Sequence, residues 1–358
     1  MFSSCDAALS RQFLPLLGCA MEEGNFVLND SDKALLRRFA EFKNTLWARL
    51  EQEIVGQRRV VEEILVAFFV GEHVFLTGVT GLGKTQIARS LAEALSLKFS
   101  RIEFTADLLP CDVLELSSAN ALKTGKQTLD ANNGSTLSNI LLASELNRAA
   151  PKIQSLLLDL VRERKATLGS GKIVPPAPFL VIATQNPVEN EETLDRAQLD
   201  LFLFSSKIDY LRLSEEIEMT LRTTDLACSL PPLMVSYEDI HEFQGLIRRI
   251  PAPRSVVEYA VKIVRKTRPQ TRTSSSLTQK YVEWGASPRA SQALILSGKA
   301  FAVFDGRETV SFEDVERSAL PALRSRVILN KLAQADGITP DFLINKILLE
   351  TRSEMKGE

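Results

Sequence analysis

"GVTGLGKT", residues 78–85, follows the apolar run "HVFLT" (73–77) and precedes the amphipathic stretch "QIARSLAEAL" (86–95). The eight residues satisfy G-x-x-x-x-G-K-[ST] between a strand pattern and a helix pattern, which is the context the motif requires. Gly78, Gly81 and Gly83 let the backbone curl so that its N–H groups converge on phosphate oxygens. The positive end of the following helix adds to that field. Thr80 and Leu82 complete the loop. Lys84 reaches toward the β- and γ-phosphates, and the Thr85 hydroxyl is a magnesium ligand. ATP and Mg2+ are therefore the expected cofactors.

Working outward, "NILLAS" (139–144) and "FLVIATQN" (179–186) read as two further buried strands. "KIQSLLLDLVRER" (152–164) is a helix between them. Strand and helix alternate, so the expected fold is α/β, a parallel sheet flanked by crossover helices. Two polar inserts interrupt it, "NALKTGKQTLDANNGS" (120–135) and "KATLGSGKIVPPAP" (165–178). The second reads as a hairpin turning at Gly169-Ser170-Gly171. Each is either a partner-binding loop or a surface decoration. Upstream, "SDKALLRRFAEFKNTLWARLEQEIV" sets Leu35, Leu36, Phe39, Phe42, Leu46 and Leu50 on one helical face, capped at Ser31 or Asp32. Beyond "LPPLM" (230–234) the pattern becomes helical.

A nucleotide site also needs a group that positions the attacking water. Glu145 stands at the end of the second strand, where a parallel sheet presents its ligand-binding groups. Asn186 ends the third strand; it either orients the water or marks an Asn-Pro turn. In "GASPRASQAL" (285–294), Ser287 is a natural N-cap and Pro288 suits the first helical position. Arg289 then lies in the first turn, where a cation opposes the helix dipole. A phosphate ligand explains it better than local stability does.

The chain has 358 residues, is 45% hydrophobic and 25% charged, and carries a net charge of −2. This suits two domains with a sizeable core and gives no global field toward nucleic acid or an anionic membrane. Four scattered cysteines and two distant histidines argue against a zinc site or a disulfide framework. A reducing, cytoplasmic location is expected, without membrane insertion, since no apolar run reaches bilayer length. "FLPLLGC" (13–19) faintly resembles a lipidation site; an N-terminal helix is the preferred reading. Arg248 to Arg272 is rich in Arg and Lys but has no aromatic ladder, so a solvated or intersubunit face is preferred to a nucleic-acid patch.

Together, "VGQ" (55–57), "GVTGLGKT", "RIEFTADLLPCD" (101–112), "LLASELNRAAPKIQSLL" (141–157), "FLVIATQNP" (179–187), "AQLDLF" (197–202) and "GASPRAS" (285–291) resemble MoxR-type AAA+ ATPases. The resemblance runs from about 54 to 330. It implies an AAA+ nucleotide-binding domain (51–230) and an all-α lid (231–330); an N-terminal helical extension (1–50) and a helical tail (331–358) are expected outside it. It also implies a ring, commonly a hexamer, acting as a chaperone-like remodeller with a partner carrying a von Willebrand factor A domain. By matching motif, Lys84 and Thr85 take the Walker A roles, Glu145 the Walker B glutamate, Asn186 sensor 1 and Arg289 sensor 2. Gln57 matches the segment near the adenine.

Two positions depart from that pattern. The family reads Asp-Glu in Walker B, whereas this chain has Ser144-Glu145. The family reads A-Q-L-D-R-F, whereas Leu201 stands here in place of the arginine resembling a trans-acting finger. Arg148 and Arg196 are the substitute candidates. Losing the charge-assisted part of a water-mediated metal contact at Ser144 costs about 1.5–3 kcal/mol. A missing arginine finger costs about 10³–10⁵ in rate, so Leu201 threatens turnover more. The expected function is an ATP-hydrolysing remodeller with attenuated turnover, in a homomeric ring or a mixed ring with a second ATPase. The alternatives are a non-hydrolysing scaffold or switch and, behind it, a nucleic-acid motor or chelatase-type subunit.

Overall fold

The computed structural model describes residues 28–105, 138–168, 171–187, 194–224 and 236–357. The insert at 120–135, the tip of the 165–178 hairpin, "FLPLLGC" and all four cysteines lie outside the described residues.

The described elements are α1 (Asp30–Glu53), α2 (Arg58–Val70), β1 (Val74–Thr77), α3 (Lys84–Ala94), β2 (Phe99–Glu103), β3 (Ile140–Ser144), α4 (Pro151–Glu163), β4 (Ala166–Leu168), β5 (Gly171–Ile173) and β6 (Leu180–Gln185). They continue with α5 (Arg196–Leu199), β7 (Phe204–Lys207), α6 (Leu213–Thr224), α7 (Tyr237–Arg249), α8 (Arg254–Lys266), α9 (Ser276–Tyr281), β8 (Val282–Trp284), α10 (Pro288–Phe304), α11 (Phe312–Leu323), β9 (Ile328–Leu329), α12 (Lys331–Ala335) and α13 (Pro340–Gly357).

Five strands form a parallel sheet in the order β2-β3-β6-β1-β7. β3 and β6 are buried along their whole length, as continuous apolar strands covered on both faces should be. One face carries Ile140, Leu142 and Ile182 against Ile87 and Leu91 of α3. The other carries Leu141, Ala143 and Val181 against Ile153 and Leu157 of α4. β4 and β5 pair antiparallel, so the expected hairpin is present.

The helical region after 236 packs onto the same core. Phe39 of α1, Phe69 of α2, Phe243 of α7 and Phe304 of α10 meet with ring centroids 5.1–5.3 Å from Phe39. One fully buried ring thus joins α1 and α2 to two helices far along the chain. The expected apolar face of α1 is the one that packs, with Leu36, Phe39, Leu46 and Leu50 buried and Leu35 and Phe42 half-buried. Its cap is different from expectation. Asn29, not Ser31 or Asp32, accepts the Asp32 N–H at 2.7 Å. The Asp32 carboxylate is instead engaged by Arg249 at 2.8–2.9 Å, a long-range contact that outcompetes capping.

Arg249 is one of several basic residues of the 248–272 stretch used within the fold. Arg254 pairs with Glu258, Lys266 with Glu354, and Arg268 donates to the Ala286 carbonyl. Among the described residues, no helix is long and apolar enough to cross a membrane.

His73, immediately before β1, is a buried structural residue. Its Nδ1 accepts the Val181 N–H at 3.0 Å, and its ring meets Phe179 edge to face. Burial, assisted by the Arg164 cation, pulls its pKa down from 6.5 to about 3. The unfolded chain therefore binds more protons than the native one below about pH 6.5. The stability tied to neutral His73 is complete above that pH. It falls by up to about 1.4 kcal/mol per unit as pH drops toward about 3. His73→Asn keeps an acceptor without the titration. Urea unfolding at about pH 7.5 and about pH 5 should show a smaller acid loss in this variant, and equal losses would place the sensitive group elsewhere.

Candidate active site

The phosphate loop lies between β1 and α3 at the C-terminal rim of the sheet. Gly81 and Gly83 have φ of 87° and 82°, the left-handed region that favours glycine. Gly78 is required for a different reason. A Cβ there would lie 2.1 Å from Ile208 Cγ2 and 2.8 Å from the Ile208 carbonyl oxygen. Lys84 opens α3 and turns back over the loop, where its ammonium donates to the Gly78 carbonyl at 2.5 Å and to that of Val79 at 3.3 Å. Thr85 follows in the first turn, half-buried, while Thr80 is exposed and Leu82 half-buried.

Ser144 and Glu145 end β3, two strands from β1 across β6. Both are buried. Glu145 takes a left-handed backbone, φ 59°, as the chain enters a short 3₁₀ turn at Leu146–Arg148. A non-glycine residue held there stores about 1 kcal/mol or more of strain, often at functional positions. Its N–H donates to Thr184 Oγ1 at 3.3 Å. Its carboxylate lies 3.7 Å from Arg148 Nε, so this trans-acting candidate sits beside the general-base candidate of the same chain. Asn186 is buried immediately after β6. The residue before it, Gln185, accepts the Gly78 N–H at 3.2 Å and pairs with Thr77. The register thus brings Asn186 beside the loop.

Gln57, with φ 53° at the start of α2, donates to the Asp209 carbonyl at 2.5 Å. Asp209 helps line a mostly apolar cavity of about 260 Å³, together with Gly78, Leu82, Ile208, Tyr210 and Arg324. An apolar slot next to a phosphate loop suits a nucleobase. A larger polar cleft of about 680 Å³, lined by Lys43, Trp47, Arg58 and Arg317 among others, shares no phosphate-loop residue.

Arg289 stands in the first turn of α10 with its side chain 63% exposed. The anion it faces is a carboxylate, with Nη1 3.5 Å from Asp200 Oδ2. Ser287 holds the N-cap position without capping, and its hydroxyl donates to the same oxygen at 3.5 Å. Arg326, buried beyond α11, donates from Nε to Asp200 Oδ1 at 2.6 Å. It also donates to the carbonyls of Asp200, Phe202 and Leu203 at 2.7–3.2 Å. Sequence reasoning missed Asp200 and Arg326, although Asp200 lay within a quoted motif. Leu201 is half-buried and packs with Leu199 on the cluster under α4. Arg196 is exposed at the start of α5.

The sheet order, the loop and the helical second region agree with what comparison with other proteins finds. Residues 73–204 match the ATPase family associated with various cellular activities, and residues 274–347 match the AAA lid domain. Chaperone MoxR1 of Mycobacterium tuberculosis is 36% identical over 299 residues, covering 82% of this chain and 78% of its own. The chain belongs to the MoxR family of AAA+ ATPases. YeaC of Bacillus subtilis, an uncharacterized protein, is 35% identical over 84% of this chain and 91% of its own. A solved structure from Cytophaga hutchinsonii, proposed to be an ATPase, superposes with a TM-score of 0.79 at 32% identity. It covers 89% of this chain and 96% of its own.

The donor set at the MoxR phosphate loop fits magnesium. Among the described residues, no group of three or more His, Cys, Asp or Glu side chains could cage a metal by itself. Mg2+ accepts such sparse protein ligation, taking hydroxyls, waters and phosphate oxygens instead. Thr85 would supply the direct hydroxyl, and Ser144 a contact through water.

Asp200 holds the lid to the core through a buried cation, so its loss should be costly. Asp200→Ala is expected to destabilise the protein by about 3–5 kcal/mol, read from chemical denaturation midpoints at constant slope. A change under about 1 kcal/mol would mean that the carbonyls alone satisfy Arg326.

Proposed function

We propose that this MoxR-family chain is a magnesium-dependent ATPase that remodels a protein partner from within a ring, commonly a hexamer, and turns over slowly. The observation that carries this is the convergence of the phosphate loop, Glu145 and Asn186 at one rim of the sheet. Glu145 acts as the general base toward the attacking water, and Asn186 orients that water. Lys84 and Arg289 neutralise charge on the phosphates, with Gln57 and the loop residues holding the nucleotide. Magnesium, when bound, would neutralise negative charge on the phosphates. The partner class is a protein carrying a von Willebrand factor A domain, and the setting is cytoplasmic. The first follows from the family resemblance, the second from the scattered cysteines.

Slow turnover rests on Ser144 and Leu201. A leucine carries no charge to a neighbouring pocket, and this one is partly committed to packing on the cluster under α4. Arg148 is close to Glu145 of its own chain, which favours a role in orienting that base over a role in trans. Leu201 also favours a second reading, a nucleotide-binding scaffold or switch within a ring that draws its hydrolytic power from another ATPase.

Steady-state release of phosphate by the purified chain separates the two. Wild type should show slow turnover that Glu145→Gln abolishes. Ser144→Asp with Leu201→Arg should raise the rate by about 10³-fold or more. Turnover unaffected by Glu145→Gln would mark the activity as contamination and favour the scaffold reading. Native mass measurement with ATP should give a ring, and a strict monomer at micromolar concentration would refute the assembly.

A further inference from the structure

Ser144 and Glu103 are register partners on adjacent parallel strands. Their side chains therefore leave the sheet on the same face. That face is the one covered by α3, because Leu142 and Ile140, two and four residues before Ser144, share an apolar cluster with Ile87 and Leu91. α3 also carries Thr85 in its first turn. Glu103 thus ends its strand on the metal side of the site, one strand over from the position where the carboxylate is missing.

The local charges make this placement matter. Arg101 lies two residues before Glu103 and shares its face. Its Nε approaches Ser144 Oγ at 3.4 Å, while Nη2 donates to Glu103 Oε2 at 2.9 Å. Without Glu103, the end of β3 would present a hydroxyl and a guanidinium cation to a divalent cation, and the net field would be repulsive. Glu103 reverses that balance. β2 is an edge strand and the Glu103 side chain is 63% exposed, so its carboxylate has room to swing.

We propose that Glu103, acting through a bridging water, is the metal-positioning acid of this site in place of the carboxylate absent at Ser144. The inference rests on the reading of the phosphate loop as a magnesium-nucleotide site. Adjacent strands are about 4.8 Å apart. A glutamate reaches about 1.5 Å further than an aspartate, and a bridging water adds about 2.8 Å. Together these come to about 4.3 Å, most of the step across one strand, and Arg101, which touches both Ser144 and Glu103, shows that the two side chains share one neighbourhood. This side chain does not touch the reacting atoms. It fixes the cation relative to Thr85 and the phosphates.

The test measures metal retention rather than turnover. The full chain is loaded with a non-hydrolysable ATP analogue, and Mn2+ is titrated with free ion followed by electron paramagnetic resonance. Glu103→Gln should weaken Mn2+ binding roughly ten-fold or more, with affinity for the metal-free analogue unchanged. In a Ser144→Asp background the same change should have little effect, because the nearer carboxylate then does the work. Arg101→Gln with Glu103→Gln should remain weak. Recovery of wild-type affinity in that double variant would show that Glu103 only neutralises Arg101, and would overturn the proposal. Unchanged Mn2+ binding in Glu103→Gln, with analogue binding intact, would overturn it alone. Failure of the wild-type chain to bind the analogue would bring down the nucleotide-site reading and this proposal with it.

Discussion

In a parallel sheet every strand delivers its last residue to the same edge, and here the hydrogen-bond register turns that edge into a site. Thr77 is paired with both Gln185 and Lys207, and Ser144 with Glu103. Residues that are up to 130 positions apart in sequence therefore stand within a few strand widths of the phosphate loop. A slip of one residue in β3 or β6 would turn Ser144 or Gln185 to the opposite face and remove the chemistry. The apolar clusters above and below the sheet hold that register. Leu142 cannot exchange places with Leu141 without exchanging the helix against which each packs.

Much of this was legible in the sequence because the central strands and their helices are strongly patterned. β1, β3 and β6 are short apolar runs, and α3 and α4 carry helical periodicity beside them. The glycine loop fixed where the sheet would meet a ligand. β2 and β7 escaped notice for physical reasons. β2 is an edge strand whose exposed Arg101 and Glu103 interrupt the apolar pattern. β7 reads "FSSK", with Ser205 and Ser206 buried where apolar residues are expected. Propensity favours neither, and only neighbouring strands make them strands.

The candidate site was legible residue by residue but not pair by pair. Glu145, Asn186 and Arg289 could be named from their places at element ends. Nothing local showed that Arg289 would face Asp200, or that Arg148 would lie beside Glu145. The anion opposite Arg289 in this structure belongs to the protein, so the unfavourable helix-dipole position already has one local compensation. The α1 cap repeats the lesson. Asp32 has the right chemistry for capping, but a distant guanidinium competes for it and Asn29 takes its place.

Arg326 grips the main chain at three points, the carbonyls of Asp200, Phe202 and Leu203. Residues 200–203 are therefore tied to the chain that follows α11. Leu201, half-buried and packed on the cluster under α4, lies between two of these grips. A rotation of the lid about the core must either carry residues 200–203 with it or break these contacts.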